Sequence, residues 1–313
     1  MGLRVTVVCG GLGGARLALG LQEAGLEGNT SFVTNVADDI VWDGALVCPD
    51  TDAVLYSLAG IFDHERGWGV RGDSFPPPNG AWFAVGARDR EHQLHRQALL
   101  ECVSLSEATA ILAEELGITA TVIPATDATL RTVVHHGGRW TGFQQWLVRD
   151  HAPPADAIAY RGVESAAPAP GVLGAISESD LVVLASSSPV ASIEPTLALP
   201  GVRDALRRRR GPTVAVSPIA LRRPPGSERD RQRAVARQRL LAAVGVAATP
   251  VAVSGRYADF LDAFVLDPAD AGDTRDVPAL GLRAEVAPIT GETAGERAAL
   301  VERLIELAGG AAR

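Results

Sequence analysis

Apolar positions along this chain fall into short runs that alternate with segments of helical spacing. Residues 3–9 (LRVTVVC) form a run rich in β-branched side chains. It passes through Gly10-Gly11-Leu12-Gly13-Gly14 into ARLALGLQEAG, whose apolar residues recur every three to four positions. That pattern predicts strand, glycine turn, helix. Residues 30–34 (TSFVT) predict a second strand ending at Asn35, and 48–60 (CPDTDAVLYSLAG) a loop that opens a helix. Residues 63–82 carry Gly, Pro and aromatics and read as an ordered loop; 88–116 read as helical, best patterned over ALLECVSLSEATAILAEEL; 119–124 and 130–135 read as strands. A second rhythm begins at Gly171: helix 171–179, strand 180–185, helix 202–210, strand 212–217, strands 262–266 and 284–289, and a final helix over 296–308. Short apolar strands alternating with helices predict an α/β fold, a doubly wound, mostly parallel sheet covered on both faces. The expected core is 1–60 plus 171–313, with a largely helical segment, 61–170, inserted. No internal repeat is visible, and the charge-dense stretch 222–239 reads as a solvated loop and an exposed helix face.

Composition narrows the chemistry. All 29 basic residues are arginine and none is lysine. This excludes a lysine-bearing phosphate loop, a Schiff base and pyridoxal-phosphate catalysis. Any bound anion is held by arginine, backbone N–H groups, helix N-termini or a metal. A formal charge of −8 argues against a nucleic-acid partner. No apolar stretch approaches about 20 residues, so no membrane span is expected. Three widely spaced cysteines, Cys9, Cys48 and Cys102, fit a reduced cytoplasm, and the N-terminal segment lacks the pattern of a secretory signal.

Four constellations carry candidate chemistry. The glycines 10, 11, 13 and 14 let backbone approach a phosphate at a helix N-terminus, and Arg16 adds a bidentate donor; the alternative is a tight turn without a ligand. Asn35-Val36-Ala37-Asp38-Asp39 lies at the carboxyl end of the second strand, where open α/β sheets bind ligands. With Asp50 and Asp52 it supplies oxygen ligands suited to magnesium, or aspartates that merely cap helices. Trp82-Phe83 with Arg88-Asp89 forms either a pocket for a flat ring or a core anchor with a salt bridge. Ser186-Ser187-Ser188-Pro189 with Ser192 can donate to phosphate, or make an ordinary turn. The histidines and cysteines suggest no metal or nucleophile.

Taken together, VTVVCGGLGGARLALGL, FVTNVADDI, LVCPDTDAVLYSLAG, RGWGVRGDSF, AWFAVGARD, VIPATDATLRT, FQQWLVR, PAPGVLGAI, PVASIEPTLALPGVRDAL and VAVSPI resemble, in order and over nearly the whole chain, the 2-phospho-L-lactate transferase family of coenzyme F-420 biosynthesis. The resemblance implies a Rossmann-like core, often dimeric, and an insertion that contributes the acceptor pocket. It also implies magnesium-dependent transfer of a phospho-three-carbon acid, 2-phospholactyl or phosphoenolpyruvyl, from a guanosine diphosphate-linked donor. The acceptor is the ribityl hydroxyl of a deazaflavin, and GMP leaves. By that resemblance Arg16 and the glycine N–H groups hold the diphosphate. Asp38 and Asp50, with Asp39 or Asp52, place magnesium. Arg88 and Asp89 lie by the deazaflavin, and the 186–195 loop holds the nucleotide end. The chain departs from the family at Ala87, Gln93, Ser188 and Glu194. It also carries 220–226 (ALRRPPG) where the family has a glycine-lysine-rich loop; Arg222 or Arg223 would replace that lysine's charge. These departures point to a drifted orthologue, or to a paralogue acting on another alcohol. A non-catalytic nucleotide-sugar binder is the third reading.

Overall fold

The computed structural model describes residues 2–75 and 81–310. Along the chain run β1 (Val5–Cys9), α1 (Gly11–Glu23), β2 (Thr30–Thr34), β3 (Ile40–Trp42), β4 (Ala45–Val47), α2 (Pro49–Leu58), α3 (Ala87–Leu99), α4 (Leu105–Glu115), β5 (Thr121–Pro124), β6 (Arg131–His136), β7 (Arg139–Gly142) and β8 (Ala157–Arg161). There follow α5 (Val172–Glu178), β9 (Leu181–Leu184), α6 (Glu194–Leu197), α7 (Val202–Arg208), β10 (Thr213–Val216), α8 (Glu228–Ala243), α9 (Pro250–Gly255), β11 (Ala263–Leu266), β12 (Arg283–Val286) and α10 (Ala294–Gly310).

Seven strands form one parallel sheet in the order β12-β11-β10-β9-β1-β2-β5. The period-2 pattern of β1 explains its central place. Val5, Val7 and Cys9 enter the core under α1, α2 and α10, while Val8 enters the core on the opposite face. Both faces are covered, so the strands read as continuous apolar runs. Strand order reverses between β1 and β9, and the carboxyl ends of those two strands therefore open a crevice.

The 61–170 segment differs from the sequence reading in two ways. Its helix breaks, because Ser104 accepts from the Glu107 amide while Glu107 reaches back to the Ser104 amide. This reciprocal cap starts α4 afresh. The segment is also not largely helical. It gives β5 to the main sheet and builds a three-stranded antiparallel sheet, β7-β6-β8. A short antiparallel hairpin, β3–β4, lies between β2 and α2 where the sequence pattern predicts no strand. Residues 76–80 of the expected 63–82 loop lie outside the described residues. Among the described residues no helix is long and apolar enough to cross a membrane.

Candidate active site

The turn after β1 and the loop after β9 meet at the strand-order reversal. The Gly10 amide donates to Ser187 Oγ at 3.0 Å, and that hydroxyl donates back to the Gly10 carbonyl at 2.7 Å. A Cβ at Gly13 would stand 2.0 Å from the Ser186 carbonyl oxygen, and one at Gly10 would stand 2.0 Å from Asp50 Oδ2. Glycine is required there because the serine loop and a carboxylate press directly on the turn. Gly11 and Gly14 complete the first turn of α1, with Gly14 against the Cys9 side chain. Ser188 accepts from the Ala191 amide at 3.3 Å and caps a tight turn over Pro189–Ile193. The Ser192 side chain and the Asp50 carboxylate both crowd Gly10.

Asn35 ties two of the predicted aspartates together. Its Nδ2 lies 3.0 Å from Asp38 Oδ1 and 3.0 Å from Asp50 Oδ2, and its Oδ1 accepts from the Ala37 amide at 3.0 Å. Both carboxyls are buried. Burial pushes Asp50 up to about 6, against hydrogen bonds from Asn35, Ser192 and the Gly11 amide. Burial, followed by the charges of Asp50 and Asp39, holds Asp38 well above the usual carboxylate range. Burial also pushes Asp39 up to about 8, and its Oδ1 has no hydrogen-bond partner. The Arg131 charge opposes the shifts of Asp38 and Asp39 without outweighing burial and like-charge repulsion. That donor set suits a divalent cation whose other ligands are substrate phosphate oxygens.

Asp52 does not join them. It forms a buried ion pair with Arg96, with Nη1 3.2 Å from Oδ2 and Nη2 bonded to Oδ1. Among the described residues no three His, Cys, Asp or Glu side chains converge on one point as metal ligands. Of the expected set Asp38, Asp50 and Asp52, only Asp38 and Asp50 share the Asn35 amide, while Arg96 neutralises Asp52 inside the protein.

Other predicted residues are placed as follows. Arg16 Nη1 donates to the Thr290 carbonyl at 3.0 Å and lies 3.8 Å from Glu292 Oε1, on the flank of the glycine turn. Burial lowers its pKa despite Glu292. Trp82 packs edge-on against Trp42 at 4.9 Å and beside Phe83 at 5.6 Å, with the Arg149 guanidinium 5.9 Å from its ring centre. Arg88 is exposed, and its guanidinium donates to the Arg71 carbonyl at 3.4 Å rather than to Asp89. Asp89 is buried, accepting from Tyr56 Oη at 2.9 Å and from Gln93 Nε2 at 3.1 Å. Burial, then the Asp52 charge, pushes it up to about 7.

The family departures also have local explanations. Glu194 faces Arg256 at 3.0 Å and Arg203 at 3.9 Å, so its charge is matched. Arg222 is paired with Asp270 and Asp273, and Arg223 with Glu296. Neither arginine is left as a free substitute for a lysine.

Gln144 was missed. Its Nε2 lies 3.3 Å from the Asp38 carbonyl oxygen and 3.5 Å from Oδ2, joining the β7 end to the aspartates. The only sequence signal is a polar Gln144-Gln145 pair inside an aromatic segment. Beside it a cavity of about 470 Å³ opens along Asp38, Asp39 and the β6–β8 sheet.

Comparison with known proteins places this geometry in a family. The model of "2-phospho-L-lactate transferase CofD" matches residues 5–276. Phosphoenolpyruvate transferase of Streptomyces griseus is 35% identical, covering 98% of each chain. The Thermobifida fusca protein of the same name is 34% identical, again covering 98% of each. Among solved structures, protein BH3568 of Bacillus halodurans, a member of the UPF0052 family, superposes with a TM-score of 0.59 at 15% identity, over 91% of this chain and 93% of that one. That last likeness concerns the fold alone. The sheet, the glycine turn and the match over most of its length show that this chain belongs to the 2-phospho-L-lactate transferase family.

Proposed function

We propose that this transferase of phospho-acid groups moves a phosphoenolpyruvyl or 2-phospholactyl unit from a guanosine diphosphate-linked donor to the ribityl hydroxyl of 7,8-didemethyl-8-hydroxy-5-deazariboflavin. The reaction belongs to coenzyme F-420 biosynthesis. The observation that carries the reading is the Asn35-bridged Asp38–Asp50 pair beside the glycine turn, at the strand-order reversal.

The hydroxyl oxygen attacks the phosphorus nearest the acid. The bond from that phosphorus to the oxygen of the guanosine-bearing phosphate breaks, and GMP departs with it. A phosphodiester is left, and the hydroxyl proton passes to a neighbouring aspartate. Such transfer needs position and charge neutralisation more than a covalent nucleophile. The N-terminus of α1, with the Leu12 and Gly13 amides, holds diphosphate oxygens, and Arg16 adds positive charge at the flank. Ser187 fixes the turn, while Ser188, Pro189 and Ser192 shape the nucleotide side. Asp38 and Asp50 are the residues that would hold magnesium. When bound, the ion supplies charge neutralisation at the phosphates. Trp82, with Trp42 and Phe83, offers an aromatic wall for the acceptor ring.

One observation favours a second reading, the same transfer to another alcohol. Asp89 turns inward to Tyr56 and Gln93 rather than outward with Arg88. Both readings are tested by offering the fluorescent deazaflavin alcohol with donor and magnesium. GMP release with formation of the deazaflavin phosphodiester supports the first. GMP release only with other alcohols supports the second, and no transfer by folded protein overturns both.

A further inference from the structure

Two arginines line the wall of the cavity beside Asp38 without a carboxylate in direct contact, although the charge of Arg131 reaches Asp38 and Asp39. Arg131 on β6 and Arg161 on β8 are directly opposite each other in the antiparallel ladder. Both line the same cavity of about 470 Å³. Among the described residues neither guanidinium has a carboxylate within 4.0 Å. Arg131 donates to backbone, the Leu130 carbonyl at 2.7 Å and the Val36 carbonyl at 3.4 Å, and the exposed Arg161 side chain makes no hydrogen bond among the described residues. Like charges directly opposed on one sheet face are destabilising. The other cross-sheet and helix arginines around the site are matched: Arg96 by Asp52, Arg222 by Asp270, Arg223 by Glu296. This pair instead faces a space large enough for a small organic acid.

Position decides which part of a substrate would reach it. Asp50 abuts Gly10, Asn35 links Asp50 to Asp38, and Asp38 is shared between that cluster and the cavity. Gln144 ties Asp38 to the cavity wall. A phosphorus held over the Asp38–Asp50 pair therefore projects its acid substituent into the cavity, toward the arginines. A planar fork of N–H donors matches a carboxylate bidentately.

We propose that Arg131 and Arg161 form a carboxylate clamp for the transferred phospho-acid, a recognition site distinct from the glycine turn that holds the diphosphate. This rests on the reading of the donor as a nucleotide-linked phospho-acid. The clamp binds the acid end and the turn binds the nucleotide end, so the two can be probed separately.

The test is calorimetric titration of the whole protein, with magnesium, by phosphoenolpyruvate, 2-phospholactate, inorganic phosphate and GDP. The variants are Arg161→Gln, which breaks no intramolecular bond, Arg131→Lys, which keeps charge but loses the fork, and Arg131→Gln. The clamp predicts that Arg161→Gln and Arg131→Gln weaken the two phospho-acids about tenfold or more, as for loss of a charge-assisted contact, while GDP and inorganic phosphate are unchanged. Arg131→Lys should weaken them less than Arg131→Gln. Equal phospho-acid binding by Arg161→Gln and wild type overturns the clamp, as does absence of saturable phospho-acid binding to the wild type. A parallel loss of inorganic phosphate also overturns it, since the pair then holds a phosphate rather than a carboxylate. Failure of GDP to bind the wild type, with the phospho-acid effect intact, overturns the nucleotide-linked donor and leaves the clamp standing.

Discussion

Breaking the buried pair between Arg96 and Asp52 separates structural aspartates from chemical ones. Arg96 is 1% exposed and Asp52 5% exposed. Arg96→Met leaves the Asp52 carboxylate in the interior, with Asp39 and Asp89 near enough to add repulsion. An uncompensated buried charge of this kind costs about 3–5 kcal/mol. At about 2.1 cal/mol/K of unfolding entropy per residue, a chain of 313 residues should lose about 5–8 °C in melting temperature. Asp52→Leu combined with Arg96→Met removes both charges, and replacing such a pair with apolar side chains is often close to neutral. The double variant should therefore melt near the wild type and retain turnover. The assay is thermal unfolding by circular dichroism on wild type, both single variants and the double variant, followed by GMP release from the double. A double variant that melts as low as Arg96→Met refutes the ion-pair argument. A double variant that folds normally but turns over nothing would put Asp52 back among the reacting groups.

Other expectations concern the site and its support. Asp38→Ala and Asp50→Ala should each cut GMP release by about 10³-fold or more while leaving the far-ultraviolet circular dichroism unchanged, because they remove charge placement and not core packing. Gly13→Ala must displace the Ser186 carbonyl. It should cost about 1–3 kcal/mol or more and weaken GDP binding in the same variant. Chelation should abolish turnover, and magnesium should raise the melting temperature of the wild type but not of Asp50→Ala. Glu296 gives a pH test. Burial opposes its ionisation, but the Thr290 hydroxyl, Arg223 and the Glu292 amide outweigh this and bring it down to about 2. A depressed carboxylate contributes stability above its unfolded value and loses it as pH falls through the folded one. The stability gap between wild type and Glu296→Gln should thus be full above pH 4.5 and fade as pH falls toward 2.

The parts of this protein that could be read from its sequence are those decided locally. The β-branched runs named most strands of the parallel sheet, to within a residue or two for most of them, because its central strands are buried on both faces. The glycine turn and Asn35-to-Asp38 were readable because their spacing is short. The break before α4 was also written locally, as Ser104 three residues before Glu107, but an apolar pattern running through ALLECVSL masked it. The β3–β4 hairpin turns on Asp43-Gly44, both with positive φ, yet three-residue strands are too short to show a period. What the sequence could not reveal depends on distant partners. Nothing near Asp52 marks Arg96, 44 residues on, as its counter-ion. Nothing near Arg131 marks Arg161 as its cross-strand neighbour, since register between two strands is set by the packed sheet.

The central claim is tested most directly by one reaction: purified protein, magnesium, the guanosine diphosphate-linked phospho-acid and the deazaflavin alcohol, followed by mass spectrometry. Equal amounts of GMP and deazaflavin phosphodiester, both lost in Asp38→Ala and Asp50→Ala, are the predicted result. A folded protein that releases no GMP from either the phosphoenolpyruvyl or the 2-phospholactyl donor, or whose Asp38→Ala and Asp50→Ala variants release it unchanged, would contradict the account.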